Sequence, residues 1–254
     1  MWGSIALVAS TNKMLILLNI ALFTTLAVAE IPPYIQTCGR RNPQLNECIQ
    51  NSVGAVINEL RNGIPEINVP PLEPMIIDSM KLVDLPNFKA SARDIKLYGL
   101  SNFKIKKLNL DLEKQQINVE LIFKEITLDA EYDVNAKILF PVAGTGPINM
   151  VTSEIISSGV MNYKIVEHGK KQYMFFSSMS LKLFIRDYTS NFRPKEGPDS
   201  PLATAINAAL ANSRQEIIES STPNLEKKIT EEMLILANKI CKSFTYDELF
   251  PDHE

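Results

Sequence analysis

Ile117, Val119, Leu121 and Phe123 stand at odd positions, and Ile126, Leu128, Ala130, Tyr132, Val134, Ala136 and Ile138 at even ones, with mostly polar or charged residues between them. A period of 2 is that of a β-strand with one buried face. Lys124-Glu125 changes the phase without supplying turn residues, which predicts one very long strand interrupted by a bulge. A strand of that length must bend sharply to remain on a compact body.

The flanking segments extend the pattern. Phe103 and Ile105 precede a similar slip at Lys106-Lys107, after which Leu108, Leu110 and Leu112 alternate with polar residues. Pro141 and Gly144-Thr145-Gly146-Pro147 read as a chain reversal, followed by a strand through Met161, Tyr163 and Ile165. His168-Gly169-Lys170 is the next turn. Tyr173, Phe175, Met179, Leu181, Leu183 and Ile185 then alternate down a last long strand. Short turns between strands make an antiparallel meander with one apolar face. After a polar loop over residues 191–200, Leu202, Ile206, Leu210 and Ile217 mark one amphipathic helix. Thr222-Pro223 restarts the pattern, and Leu225, Ile229, Met233, Leu236 and Ile240 mark a second.

Ahead of the sheet, Leu45, Ile49, Val53, Val56 and Leu60 recur at helical spacing, and Gly63 is placed to end that helix. The stretch from Gly63 to Met75 then carries four prolines with apolar residues in almost every gap. Prolines hold such a segment extended and out of helices and central strands. A sheet with one apolar face and helices with one apolar stripe must cover each other, so the expected body is α+β, an elongated roll.

The chain has 254 residues, 45% of them hydrophobic, and a net charge of −3. It lacks the basic face that nucleic acid requires. Residues 14–28 form an apolar run after Lys13 and end in Ala27-Val28-Ala29, which predicts a signal peptide over residues 1–29, with residues 1–13 a candidate start-site extension. The run is short for a membrane anchor. Residues 30–254 are then a single secreted, extracellular domain. Export favours pairing Cys38 with Cys48 and leaves Cys241 as a buried free thiol on a helix.

Catalytic constellations are sparse. Both histidines, His168 and His253, fall in a turn and at the C-terminus, and no nucleophile elbow, H-E-x-x-H or C-x-x-C motif occurs. Asp129, Glu131 and Asp133 share one side of a strand, as do Lys104 and Lys106. The acidic set reads as a solvated face rather than a cation site, and Lys104, Lys106 and Lys107 as the outer face of their strand. The expectation is no enzyme, no metal and no cofactor.

The C-x9-C-I-Q-N-S segment from Cys38 and the strap G-I-P-E-I-N-V-P-P-L-E-P from Gly63 resemble the N-terminal signature of the insect takeout and juvenile-hormone-binding proteins. So do G-L-S-N-F from Gly99, Gly144-Thr145-Gly146, the 191–195 region and the closing Y-D-E-L-F-P. The hormone-binding branch has a second disulfide, and no cysteine lies between Cys48 and Cys241, so the resemblance is to the takeout branch. It implies a TULIP-like fold, a long helix held in a strongly curved antiparallel sheet around an apolar tunnel.

The candidate lining is Ile67, Val69, Leu72, Met75, Phe103, Leu121, Phe123, Leu128, Tyr132, Met161, Tyr163, Phe175, Met179 and Leu181. The implied function is a monomeric secreted carrier of a small hydrophobic ligand: a terpenoid, a fatty acid or another lipid. The alternatives are juvenile hormone binding specifically, or a secreted interaction module with a filled core that engages a receptor or another secreted protein. A lipase-like ester hydrolase is disfavoured by the missing nucleophile and base.

Overall fold

The structure is a computed structural model that describes residues 31–86, 88–137, 141–193 and 201–253. The chain divides into two units, residues 1–32 and 33–254, and every helix and strand named here belongs to the second. The expected signal peptide, residues 1–29, lies outside the described residues.

Strands β1 (Met75–Leu85), β2 (Phe88–Tyr98), β3 (Phe103–Asp111), β4 (Gln116–Lys137), β5 (Pro141–His168) and β6 (Lys171–Phe192) form one sheet. All pairings are antiparallel, in the order β1-β2-β4-β5-β6, with β3 also on β4. β2 pairs with residues 127–136 of β4 and β3 with residues 116–123. These two strands are therefore successive pieces of one line, broken at residues 99–102. The 22-residue β4 realises the long strand expected from the alternation.

The phase change in β4 has a different cause from the expected bulge. Phe123 faces Ile155 and Glu125 faces Ser153, so the register is the same on both sides and neither strand carries an extra residue. β5 changes phase opposite, where Glu154 has φ 48°, and β6 changes it at Arg186, between inward Ile185 and buried Tyr188. Arg186 is ion-paired with Glu154. The break between β2 and β3 falls on the same line: Gly99, at φ 92°, brings its α-carbon so close to β4 that a Cβ would stand 2.8 Å from the Glu125 carbonyl oxygen. A transverse crease thus crosses β4, β5 and β6, and each of these strands turns its other set of alternate residues inward there. The slip near Lys106 in β3, by contrast, is a true register shift, as expected.

Two other expectations change. Gly144-Thr145-Gly146-Pro147 does not turn but runs as strand, with Tyr132 opposite Gly146. Lys137 of β4 pairs directly with Pro141 of β5. Gly146 is needed for close approach, since a Cβ would stand 2.5 Å from the Arg193 carbonyl and 3.1 Å from the Tyr132 hydroxyl. Thr222-Pro223 does not divide the helices either. They are α2 (Pro201–Asn212) and α3 (Arg214–Cys241), with Pro223 inside α3. Its ring lies on the exposed side, and the Ser221 and Thr222 hydroxyls donate to the Ile217 and Ile218 carbonyls at 2.6 and 2.7 Å in the turn where proline weakens the ladder.

Helix α3 packs on β1 and β6, the two edges of the sheet, and so closes the curled sheet into a roll. It does this partly through side chains that satisfy edge backbone. Asn238 accepts from Phe176 N–H at 2.8 Å and donates to the Phe176 carbonyl at 3.0 Å, and Glu226 accepts from Leu183 N–H at 2.9 Å. Asn207 of α2 pairs with Phe192 in the same two-way manner, at 3.0 and 3.1 Å. Unpaired edge groups are thereby covered without another strand.

Helix α1 (Leu45–Asn62) ends before Gly63 as the sequence predicts. The strap that follows is not simply extended. Pro65–Ile67 form one 3₁₀ turn, and Ile64 and Val69 bond each other's backbone at 2.9 and 3.0 Å. Proline at the first position of such a turn loses no hydrogen bond. Ile64, Val69 and Leu72 are buried, while Leu72 N–H donates to the Leu60 carbonyl at 2.8 Å. The strap is locked to the crease by Glu73, whose carboxylate accepts from Gly99 N–H, Ser101 N–H and Ser101 Oγ at 2.7–2.8 Å. Arg61 of α1 donates to Ser101 Oγ and Asn102 Oδ1 at 3.0 and 2.9 Å.

At the other end of the chain the short helix α4 (Tyr246–Leu249) is capped by Thr245 and Glu248 in a reciprocal pair. The Cys38–Cys48 disulfide is formed and closes a ten-residue separation, worth about 2–3 kcal/mol on the chain-entropy account. Residues 38–41 run beside the tail: Arg40 N–H donates to the Pro251 carbonyl at 2.9 Å, and Arg40 and Arg41 pair with Asp247 and Asp252.

Candidate functional site

The concave face of the sheet carries two packed apolar clusters. The first joins the strap to the β1-β2 half: Val69, Leu72, Met75, Ile95, Leu128, Tyr132 and Phe192, with Ile67 against its edge. The second lies at the far end, with Leu110, Tyr163, Met174, Phe176, Cys241 and Tyr246 at its centre and Met161 beside them. Along β4 the first cluster ends at Leu128 and the second begins at Ile117, and similar gaps separate them on β5 and β6.

The span between is apolar and sheltered. Leu108, Phe123, Ile155 and Leu181 are buried there, and Phe103, Leu121 and Met179 are half-buried, yet none belongs to either cluster. Phe103 and Phe123 meet edge to face at 5.9 Å. On β5 the inward positions of this span include the small residues Ser157 and Gly159, both buried. A Cβ on Gly159 would touch Val119 and Met179, at 3.3 and 3.7 Å.

Thirteen of the fourteen expected lining residues therefore fall on the strap or the concave face, distributed over three zones. Phe175 does not. It is 46% exposed on the outer face. The reason is a register shift in which Asn162 faces Ser178 and Tyr163 faces Phe176, so that Ser177 is an extra residue of β6. Phe176 and Met174 take the inner positions instead. The polar pair Ser177-Ser178 between Phe176 and Met179 was the available signal. Sequence reasoning also missed Ile155, Leu108 and the contribution of Tyr246.

The inner tyrosines differ in their hydroxyls. Tyr188 donates to the Leu210 carbonyl at 3.1 Å, and burial pushes its phenol up to about 12. Tyr132 is packed tightly, its ring 3.9 Å from Phe192. Tyr163 is buried with no hydrogen-bond partner for its hydroxyl. Burial, and then the neighbouring Tyr246 and Asp111, raise its phenol well above the ordinary value, so it remains a neutral donor at physiological pH.

Cys241 sits in the second cluster, and burial pushes its thiol up from 9.0 to about 12. Thiolate is the reactive form, so this cysteine is inert in the native protein. The expected result is no alkylation by iodoacetamide at pH 8 before unfolding and one equivalent after it, without reductant. Because the folded value is the higher one, the stability linked to this thiol is intact below about pH 9 and erodes as pH rises toward 12.

An open groove of about 620 Å³ lies on the opposite, outer face, lined by Asp94, Lys96, Asp129, Glu131, Asn149 and Arg193 among others. Its mixed charges suit solvent better than a lipid. Asp129 accepts from Asn149 at 2.8 Å. Among the described residues no group of three His, Cys, Asp or Glu could hold a metal ion, and no helix is long and apolar enough to cross a membrane.

The fold is similar to the crystal structure of Epiphyas postvittana Takeout 1, with a TM-score of 0.74 over 85% of this chain and 99% of that one, at 15% identity. The sequence is 23% identical over 220 residues to a candidate beta-carotene-binding protein of Schistocerca gregaria, covering 85% of this chain and 88% of that protein. Residues 16–251 match the family described as haemolymph juvenile hormone binding protein. With that match spanning nearly its whole length, and with a TULIP-like roll of helix in curved sheet, the chain belongs to the haemolymph juvenile hormone binding protein family.

Proposed function

We propose that the protein is a secreted, monomeric carrier that takes a small lipophilic molecule into the span between the two clusters and does no chemistry on it. The observation that carries this reading is the middle of the concave face. Large buried side chains such as Phe123, Ile155 and Leu181 surround small ones at Ser157 and Gly159, and the set lies outside both packed clusters. Apolar transfer contributes about 25 cal/mol per Å² removed from water, so a terpenoid or acyl chain needs no charged partner to be retained there. The family supports hydrophobic cargo, and its name places members in haemolymph. The disulfide suits an oxidising compartment.

Native mass spectrometry of protein secreted from insect cells, before and after organic extraction, tests the reading. The expected result is a stoichiometric apolar adduct that extraction removes. An adduct-free protein that also refuses fluorescent fatty-acid and terpenoid probes would sink it and favour a closed core acting through its surface.

A further inference from the structure

We propose that the outer face at the tip of the β5-β6 hairpin is a docking surface for a phospholipid bilayer with anionic headgroups. The inference goes beyond the carrier reading and does not depend on it.

The first ground is topology. β4 pairs with β5 as far as Gln116 and Asn162, and the next residue, Tyr163, donates its N–H to the Gln115 carbonyl at 2.9 Å. Residues 164–168 and 171–175 continue past that point as a two-stranded ribbon, about 17 Å long at the usual rise of a strand. Its inner face is already committed, since Ile165 and Met174 pack in the second cluster. Its outer face sets Lys164 opposite Phe175, Val166 opposite Tyr173 and His168 opposite Lys171, with Lys170 in the turn.

The second ground is what that outer face carries. Phe175 is 46% exposed and Val166 39%, with Tyr173 half-buried beside them. The extra residue Ser177 is what turns Phe175 outward, the kind of re-aiming that a bulge performs. Rings flanked by lysines suit the boundary of a bilayer, where the apolar body enters the acyl edge and the ammonium reaches the phosphates.

Charge points to the sign of the partner. Lys106, Lys114 and Lys182 are ion-paired elsewhere on the molecule, but Lys164, Lys170 and Lys171 are in no ion pair among the described residues. The acid of this ribbon, Glu167, alternates onto the inner side with Tyr163 and Ile165. Glu248 of α4 is within electrostatic reach of Lys171 and offsets part of one charge. Protein interfaces are depleted in lysine, so exposed apolar groups ringed by lysines favour a lipid surface over a protein one.

Cosedimentation of the secreted protein with sucrose-loaded vesicles tests the proposal. Binding is expected to phosphatidylcholine vesicles containing about 30% phosphatidylserine, to be far weaker without phosphatidylserine, and to fall as added salt shortens the screening length. Lys164→Gln combined with Lys170→Gln should weaken it about 25-fold, or about fivefold per lysine, and Phe175→Ser about tenfold. The chain's one tryptophan, Trp2, lies in the expected signal peptide, so Phe175→Trp gives the secreted protein a single indole at the tip. Its emission should shift to the blue on anionic vesicles and be quenched by brominated lipids. No sedimentation with either vesicle would overturn the proposal and leave the patch to a protein partner. Sedimentation that survives all three substitutions, with an indole that neither shifts nor is quenched, would overturn it by placing the contact elsewhere.

Discussion

Glu73→Ala is expected to lower the unfolding free energy by about 3 kcal/mol, because it removes one acceptor from three donors at once and strands two partly buried backbone N–H groups. The lost contacts hold the strap to residues 99–101, where the sheet line breaks between β2 and β3. Arg61 would lose its ordered neighbour Ser101 as well. Urea unfolding by far-UV circular dichroism measures the effect. Glu73→Gln, which keeps one side-chain oxygen, should lose about half as much. A loss below about 1 kcal/mol for alanine would mean that the strap is held by the burial of Ile64, Val69 and Leu72 alone.

Met179→Arg should reduce lipid uptake by about 100-fold or more while the protein remains folded. Met179 is half-buried on the concave face within reach of Gly159, and a guanidinium there places charge in the apolar span. Phe175→Arg is the matched control. It lies four positions away on the same strand but on the other face, and uptake should not change. Titration with a fluorescent fatty-acid probe reads both. If the two variants bind alike, the binding space is not on the concave face of β6.

These two substitutions show how far the sequence could be read. Four positions apart, Met179 and Phe175 share a parity, and an unbroken alternation would send both inward. Ser177 is one residue too many; the polar pair Ser177-Ser178 hints at it, and the pairing with β5 fixes it. The same limitation hid the β1-β2 hairpin. Shifts at Leu82 and near Asp94 leave buried residues spaced by three, as in Met80 and Val83 or Ala92 and Ile95, a spacing that period-2 reading rejects.

Where alternation was clean, as in β4, the element was legible because burial of one face dictates it. The helix α1 was legible for the same reason, together with its terminal glycine. Gly144-Thr145-Gly146-Pro147 and Thr222-Pro223 misled because local turn chemistry yielded to tertiary partners: Tyr132 and Arg193 in the first case, and an exposed ring with neighbouring hydroxyl bonds in the second. The side chains that cover the β6 edge, Asn207, Glu226 and Asn238, carry no sequence signal at all. They look like ordinary polar positions on helices. Tyr163 was legible as an interior residue, but its unmatched hydroxyl depends on what every neighbour leaves undone.

The transverse crease limits how this chain can gain or lose residues. Since β4, β5 and β6 invert their phase opposite one another with no extra residue in the pairing, deleting one residue from a single strand would displace its inversion from its neighbours' and turn part of that strand inside out. Lengthening or shortening is tolerable beyond the last paired residues, or as a matched change across all three strands. Related proteins of different strand length should therefore differ at the hairpin tips and keep the distances between the crease positions constant.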